Sequence, residues 1–176
     1  MKLLEKLQQL SACSEAIEWV KENNHETLEK AWDACHRGDW MLWLAYHMKV
    51  DKRKLTLAKG RCAETVIHLM EDQRGIDAVK AAIAYGNGEI NDEQLRDAAH
   101  AAYAAAAAAY GAAYGAAADA AAAAYGAAAD GAAADAAAYG AAAYGAAYGA
   151  KKENQQKTAD ICREILTDDV LTASGH

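Results

Sequence analysis

AAHAAYAAAAAAYGAAYGAAADAAAAAYGAAADGAAADAAAYGAAAYGAAYGA, residues 98–150, is the stretch that decides the fold. Of its 53 positions 35 are Ala, seven Tyr, seven Gly, three Asp and one His, with no Lys, Arg, Leu, Ile or Val. Ala is the strongest helix former, so the tract reads as helix in spite of its glycines. A disordered linker would favour Pro, Ser, Glu and Lys, none of which occurs here. At roughly 100° per residue, Tyr103, Tyr110, Tyr114 and Tyr125 point within about 60° of one another, and Tyr139 returns to that direction. Asp119 and Asp130 lie on the opposite side. The pattern is an amphipathic helix with Tyr as the buried ridge, Ala as the flank and Asp as the wet face. Tyr144 and Tyr148 are rotated by roughly 140° and 180° from the stripe, so they point away from whatever it packs on.

One straight helix over the tract would run roughly 80 Å, far beyond a compact chain of this size, whose radius of gyration is about 16 Å. Asp130-Gly131 is the best turn dipeptide. The expectation is a helix from about 92 to the late 120s, a break near 130 and a second Ala-Tyr helix, approaching closely as small-residue helices do.

The first hundred residues give helix after helix. Leu3, Leu4, Leu7 and Leu10 keep helical spacing; Ser11 or Ser14 can cap the next segment, in which Cys13, Ile17 and Val20 share a face. Asn23-Asn24 ends it. Leu28, Ala31, Trp32 and Cys35 mark a third helix, stopped by Gly38 just past its end, and Asp39 is placed to cap the next one, with Arg37 pairing a nearby acid. Residues 54–74 read as a fifth helix with Cys62, Val66, Leu69 and Met70 inward and Gly75 at its end. Ile76, Val79, Ala82 and Ile83 make a sixth. Gly86-Asn87-Gly88 is a turn, and Asn91 with Gln94 forms a capping box that launches the Ala tract. No stretch alternates with period two. The fold class is all-α: a single-domain helical bundle over 1–176, with short helices in 1–90, Ala/Tyr/Gly-rich helices in 91–150 packed through the Tyr stripe, and a C-terminal helix in 151–170.

The chain has 176 residues and a net charge of −7, which disfavours nucleic acid and suits a basic protein partner. The segment MKLLEKLQQL lacks the apolar run of a signal peptide, and the Ala tract is too poor in large aliphatics to insert in a membrane. A cytoplasmic protein is expected, with Cys13, Cys35, Cys62 and Cys162 reduced and mostly buried.

Two constellations invite chemistry. Cys35 and His36 are adjacent, and neighbours on a helix point about 100° apart, so they make no nucleophile–base pair. The spacing of Cys35, His36, His47, Cys62 and His68 matches no metal pattern. The basic run Lys49, Lys52, Arg53, Lys54, Lys59 and Arg61 could hold phosphate or an acidic partner but reads as solvated surface. Trp19, Trp32, Trp40 and Trp43 read as core, although Trp40 and Trp43 cannot both face directly inward. No catalytic residue, cofactor or metal is assigned.

The string AWDACHRGDWMLWL (31–44), the Ala-Tyr tract and ADICREIL (159–166), in that order, resemble a family of bacterial immunity proteins associated with polymorphic toxin systems. The resemblance implies a small cytoplasmic protein that binds and neutralises a cognate toxin domain, and it carries no catalytic residues. The function expected is therefore non-catalytic protein binding, not an enzyme. Tyr144, Tyr148, Asp119, Asp130, Asp168 and Asp169 are the candidate partner contacts, since Tyr brings large contact area at low entropic cost. No nucleic acid or membrane partner is implied; a homodimer through the tract is compatible with its small side chains. The alternatives are a phage- or plasmid-encoded inhibitor of a host defence protein, which would share the scaffold, and an ice-binding or structural Ala-rich helix, which should carry Thr at each repeat where this tract has none.

Overall fold

The computed structural model describes residues 3–70, 72–112 and 148–174, with side chains described over 3–70, 72–102 and 152–174. Every regular element among them is helical: α1 (Leu3–Gln9), α2 (Ser14–Glu22), α3 (Leu28–Ala34), α4 (Gly38–His47), α5 (Lys52–Glu64), a 3₁₀ turn (Ile67–Leu69), α6 (Gln73–Gly86), α7 (Asp92–Ala112) and α8 (Tyr148–Ala173). The all-α expectation holds. The proposed Tyr stripe, the break near 130 and the second Ala-Tyr helix lie outside the described residues, apart from the backbone of α7 and the start of α8.

Four of these helices end in the same way. The residue two past the helix end takes a left-handed backbone and returns its N–H to the last turn, and the next N–H reaches one carbonyl further back, as in a Schellman motif. Ser11 (φ 61°), Asn24 (φ 52°), Lys49 (φ 57°) and Gly88 (φ 81°) hold that position after α1, α2, α4 and α6. After α4 the bonds are Lys49 N–H to Tyr46 O at 3.0 Å and Val50 N–H to Ala45 O at 3.2 Å. Only after α6 does the residue best suited to it, glycine, fill the position. A side chain in this region costs about 1 kcal/mol or more, and Lys49 is exposed, so Lys49→Gly is expected to stabilise the protein by about 1 kcal/mol, read as a raised urea midpoint at unchanged slope.

The start of α7 follows the expected capping box: Asn91 N–H donates to Gln94 Oε1 and Gln94 N–H to Asn91 Oδ1, both at 3.0 Å. Elsewhere the expected boundaries move. Neither Ser11 nor Ser14 caps α2; Cys13 stands at that position without a side-chain bond. Gly38 opens α4 instead of closing α3, and Asp39 sits in the first turn of α4, bonded to the Arg37 guanidinium rather than capping. The helix expected over 54–74 breaks at Thr65, and Asp72 caps a new helix through its side chain, which accepts from the Arg74 N–H at 2.8 Å. Leu69 is consequently exposed instead of inward, and Gly75 lies inside α6.

Two apolar clusters meet at α5. In the larger, α1 to α5 enclose Trp32, Met41, Leu42 and Leu55 together with one face of α8: Ala159, Cys162, Leu166 and Val170. Thr158, Cys162, Leu166 and Val170 recur every fourth residue, and the stripe they form crosses α4 where Gly38 leaves room for Thr158. The second cluster joins Ala63 and Met70 to Ala78, Val79 and Ala82 of α6 and to Leu95, Ala99 and Ala102 of α7. Small residues hold these helices close: Gly60 lies against Ala82 and Ile83, and Gly86 against Leu57. Over its described part α7 buries Leu95, Ala99 and Ala102, a face centred roughly 70° from the direction of Tyr103.

α8 also closes α3. Its Arg163 guanidinium donates to the carbonyls of Trp32, Asp33 and Cys35 at 3.2, 3.2 and 2.7 Å, at the end of the short α3 where the Trp32 oxygen also accepts the Cys35 N–H. Trp32 donates in turn from its indole Nε1 to Thr167 at 2.9 Å. The string 31–44 and the string 159–166 therefore pack on each other, 120-odd residues apart in sequence.

Candidate partner-binding site

The cations of α5 find partners on the chain itself. Lys52 bonds Asp92 at 2.8 Å, Lys54 bonds Asp169 at 2.9 Å, and Arg61 bonds Glu64 at 3.0 Å. Arg53 lies over the Tyr85 ring at 4.4 Å and donates to the Tyr85 carbonyl at 2.6 Å. Lys59 is buried, with its ammonium 6.0 Å from the centre of the Tyr46 ring. These cations are committed to structure; the reading of the run as solvated surface fails at Lys59.

The expected contact residues divide. Asp119, Asp130 and Tyr144 lie outside the described residues, and Tyr148 is described only as the first residue of α8. Asp168 is exposed, whereas Asp169 is engaged by Lys54.

A different surface emerges where α1 to α4 meet. There an apolar pocket of about 50 Å³ lies between Leu3, Leu7, Trp19, Trp32, Trp40 and Met41. Its rim is aromatic. Trp19 and Trp40 are half-buried, with ring centres 6.0 Å apart, and His36 stands 6.1 Å from Trp19 and 6.4 Å from Trp40. His25 closes on the other side of Trp19 at 4.7 Å. Arg37 lies over Trp40 at 4.5 Å, held there by Asp39 and, at 3.5 Å, by Glu15. Burial, with Arg37 and Lys152 nearby, lowers the pKa of His36 below its usual value. A His whose folded pKa is depressed adds stability above the unfolded value near 6.5 and loses it as the pH falls through the folded one, so the fold favours the neutral form of His36.

Acidic side chains recur along α2 and α3. Glu15, Glu18 and Glu22 share one face of α2 at i, i+3 and i+7, and Glu26, Glu29 and Asp33 continue along the connection and α3; all six are exposed, against Lys21 and Lys30 as the cations of this segment. Among the described residues, Glu18, Glu22, Glu29 and Asp33 are in no ion pair.

The cysteines sit below this surface. Burial raises the Cys35 thiol to about 11 and raises Cys162 as well; Cys35 donates to the Arg37 carbonyl at 3.5 Å. Cys62 and Cys162 are fully buried, and their thiols donate to the Thr158 and Gly38 carbonyls, each at 3.7 Å. Cys13 alone is exposed. An aromatic disulfide reagent at pH 8 should therefore label one thiol quickly in the native protein and four in denaturant; rapid labelling of Cys35 would contradict this burial.

Among the described residues no group of three or more His, Cys, Asp and Glu is placed to hold a metal ion, and no helix is long and apolar enough to cross a membrane. Comparison with known proteins gave no match to a protein family, to a curated protein or to a solved structure.

Proposed function

We propose that this protein is an immunity protein: it binds a toxin domain and neutralises it without chemistry of its own. The observation that carries the reading is the open Trp-rimmed pocket to which the string 31–44, the most specific part of the resemblance, contributes Ala31, Trp32, Cys35, Trp40, Met41 and Leu44. An acidic binder steers onto a basic toxin and reaches it fast at low salt. The half-buried Trp residues supply the contact area that interface hot spots use. Asp168, exposed on α8, remains a candidate contact, and Tyr144, Tyr148, Asp119 and Asp130 remain candidates from the sequence. The protein acts as a stoichiometric blocker in the cytoplasm.

The test is co-expression with the basic protein encoded beside it in its host. Growth restored in proportion to the immunity protein's level is expected. Toxicity undiminished at equal expression, with both proteins soluble, would overturn the reading.

A further inference from the structure

The pocket of about 50 Å³ lies in a seam between two pairs of helices. On one side α1 and α2 line it with Leu3, Leu7 and Trp19; on the other α3 and α4 line it with Trp32, Trp40 and Met41. By backbone α1 and α2 pack mainly on each other, so side chains carry their hold on the rest of the bundle. Where the pocket lies those side chains lack partner atoms, and the seam is held less tightly than the filled core around it. Segments with few contacts across such a seam open locally, at a fraction of the global cost.

What crosses the seam beside the pocket is aromatic and charged. Trp19 on α2 meets Trp40 at 6.0 Å and His36 at 6.1 Å. Glu15 on α2 reaches Arg37 at 3.5 Å, but its side chain is 71% exposed, and such a pair contributes little. The charge state of His36 therefore acts where the hold is weakest.

The groups around His36 disfavour an imidazolium in that place. Arg37 follows it in the chain and Lys152 approaches from α8, both of them cations, and partial burial acts in the same sense. Asp39 of α4, which favours the charged form, is engaged by the Arg37 guanidinium. Cys35, the buried neighbour, is a neutral thiol. The indoles do not compensate. At 6.1 and 6.4 Å from Trp19 and Trp40 the His36 ring stands past the reach of a cation–π contact, about 6 Å. Arg37 already lies over the Trp40 ring at 4.5 Å.

The geometry points to an acid-sensitive clasp: α1 and α2 close over the pocket as a pair and loosen from α3 and α4 when His36 takes up a proton. Closed, the clasp shapes the pocket; loosened, it parts the Trp32, Trp40 and Met41 wall from the Leu3, Leu7 and Trp19 wall. The effect is graded. Protonation raises the open population severalfold, by the ratio of the two states' affinities for the proton, and leaves the rest of the bundle in place. The clasp goes beyond the immunity reading and holds for any partner, since it stands on packing within the chain.

The test is hydrogen-exchange mass spectrometry of the full-length protein from pH 7.5 to 5, a window above the ordinary carboxylate range, with each rate corrected for the intrinsic pH dependence of exchange. Protection of the amides in 3–22 should fall severalfold as the pH drops below about 6.5, while α4, α5 and α8 keep theirs. His36→Phe, which keeps a ring and takes no charge, should make the protection of 3–22 independent of pH. Lys152→Gln, exposed in the first turns of α8, should shrink the fall, and it decides the matter if His36→Phe does not fold. His25→Gln, 4.7 Å from Trp19 on its other side, should leave the fall in place. Constant protection down to pH 5, a fall shared by the whole chain, a fall that survives His36→Phe or Lys152→Gln unchanged, or one that His25→Gln removes would each overturn the clasp.

Discussion

Trp32→Ala is expected to cost about 4 kcal/mol of stability, in the range of large aromatic truncations in a core. Trp32 is 2% exposed and sits where α3, α4 and α8 meet, so the void cannot collapse without moving α8. Two further losses add to the cavity. The indole bond to Thr167 disappears, and α3 loses the side chain that seats it under the Arg163 clamp on its last carbonyls. A domain of this size has about 5–15 kcal/mol in all, so the variant should lie near the edge of folding, with its melting temperature lowered by about 10 °C or more. Trp32→Phe separates the contributions. It keeps most of the ring area and drops the hydrogen bond, and should cost about 1–2 kcal/mol. Urea unfolding of both variants checks the pair; equal stability of Trp32→Ala and wild type would remove Trp32 from the centre of the core.

Gly38→Ala is expected to cost about 3 kcal/mol, against the general rule that Ala in a helix is better than Gly by about 1 kcal/mol. A Cβ on Gly38 would lie 2.6 Å from the Cβ of Thr158 and 2.7 Å from its carbonyl carbon. Neither atom belongs to a flexible end that can rotate away, so α4 and α8 must separate. Separation would also loosen the Cys162 thiol from the Gly38 carbonyl and open the Arg163 clamp one turn further along. Thr158→Ala combined with Gly38→Ala should recover only part of the loss, because the backbone carbon stays in place. A full recovery in the double variant would mean that the threonine side chain alone sets the helix spacing. Thermal melts of the two single variants and the double variant decide between these.

Gly38 also shows why parts of this fold were legible in the sequence and others were not. The bodies of the helices follow apolar spacing: Leu28, Ala31 and Trp32, or Val79, Ala82 and Ile83, are pinned by a local period and need no partner to be read. The Asn91–Gln94 box is likewise local, two side chains answering two N–H groups. Gly38 carries the same letter as a helix terminator, but its glycine is required by Thr158, 120 residues away. The ends of α1, α2 and α4 hid for the converse reason. Ser11, Asn24 and Lys49 occupy the left-handed position that the sequence rule assigns to glycine, of which Asn24 alone is a common substitute. The break after Glu64 was masked because Val66, Ile67, Leu69 and Met70 continue the apolar period, and only the Asp72 cap marks the restart.

The candidate site divides along the same line. The Trp residues were legible as large apolar groups, and Trp40 and Trp43 as a pair that cannot both be buried; both are half-exposed. That the Trp19 and Trp40 rings meet at 6.0 Å beside a pocket depends on the packing of α2 on α4. Lys52, Lys54 and Lys59 find their partners on α7, α8 and α4, contacts between elements that no local pattern shows.

The most direct test of a non-catalytic, protein-binding role is a pull-down with the tagged full-length protein from its own host, followed by identification of whatever co-purifies in stoichiometric amount. A single basic protein, encoded beside this one and released by high salt, is the expected result. A host defence component in its place would transfer the function to counter-defence, and a clean monomer with nothing bound would contradict the account.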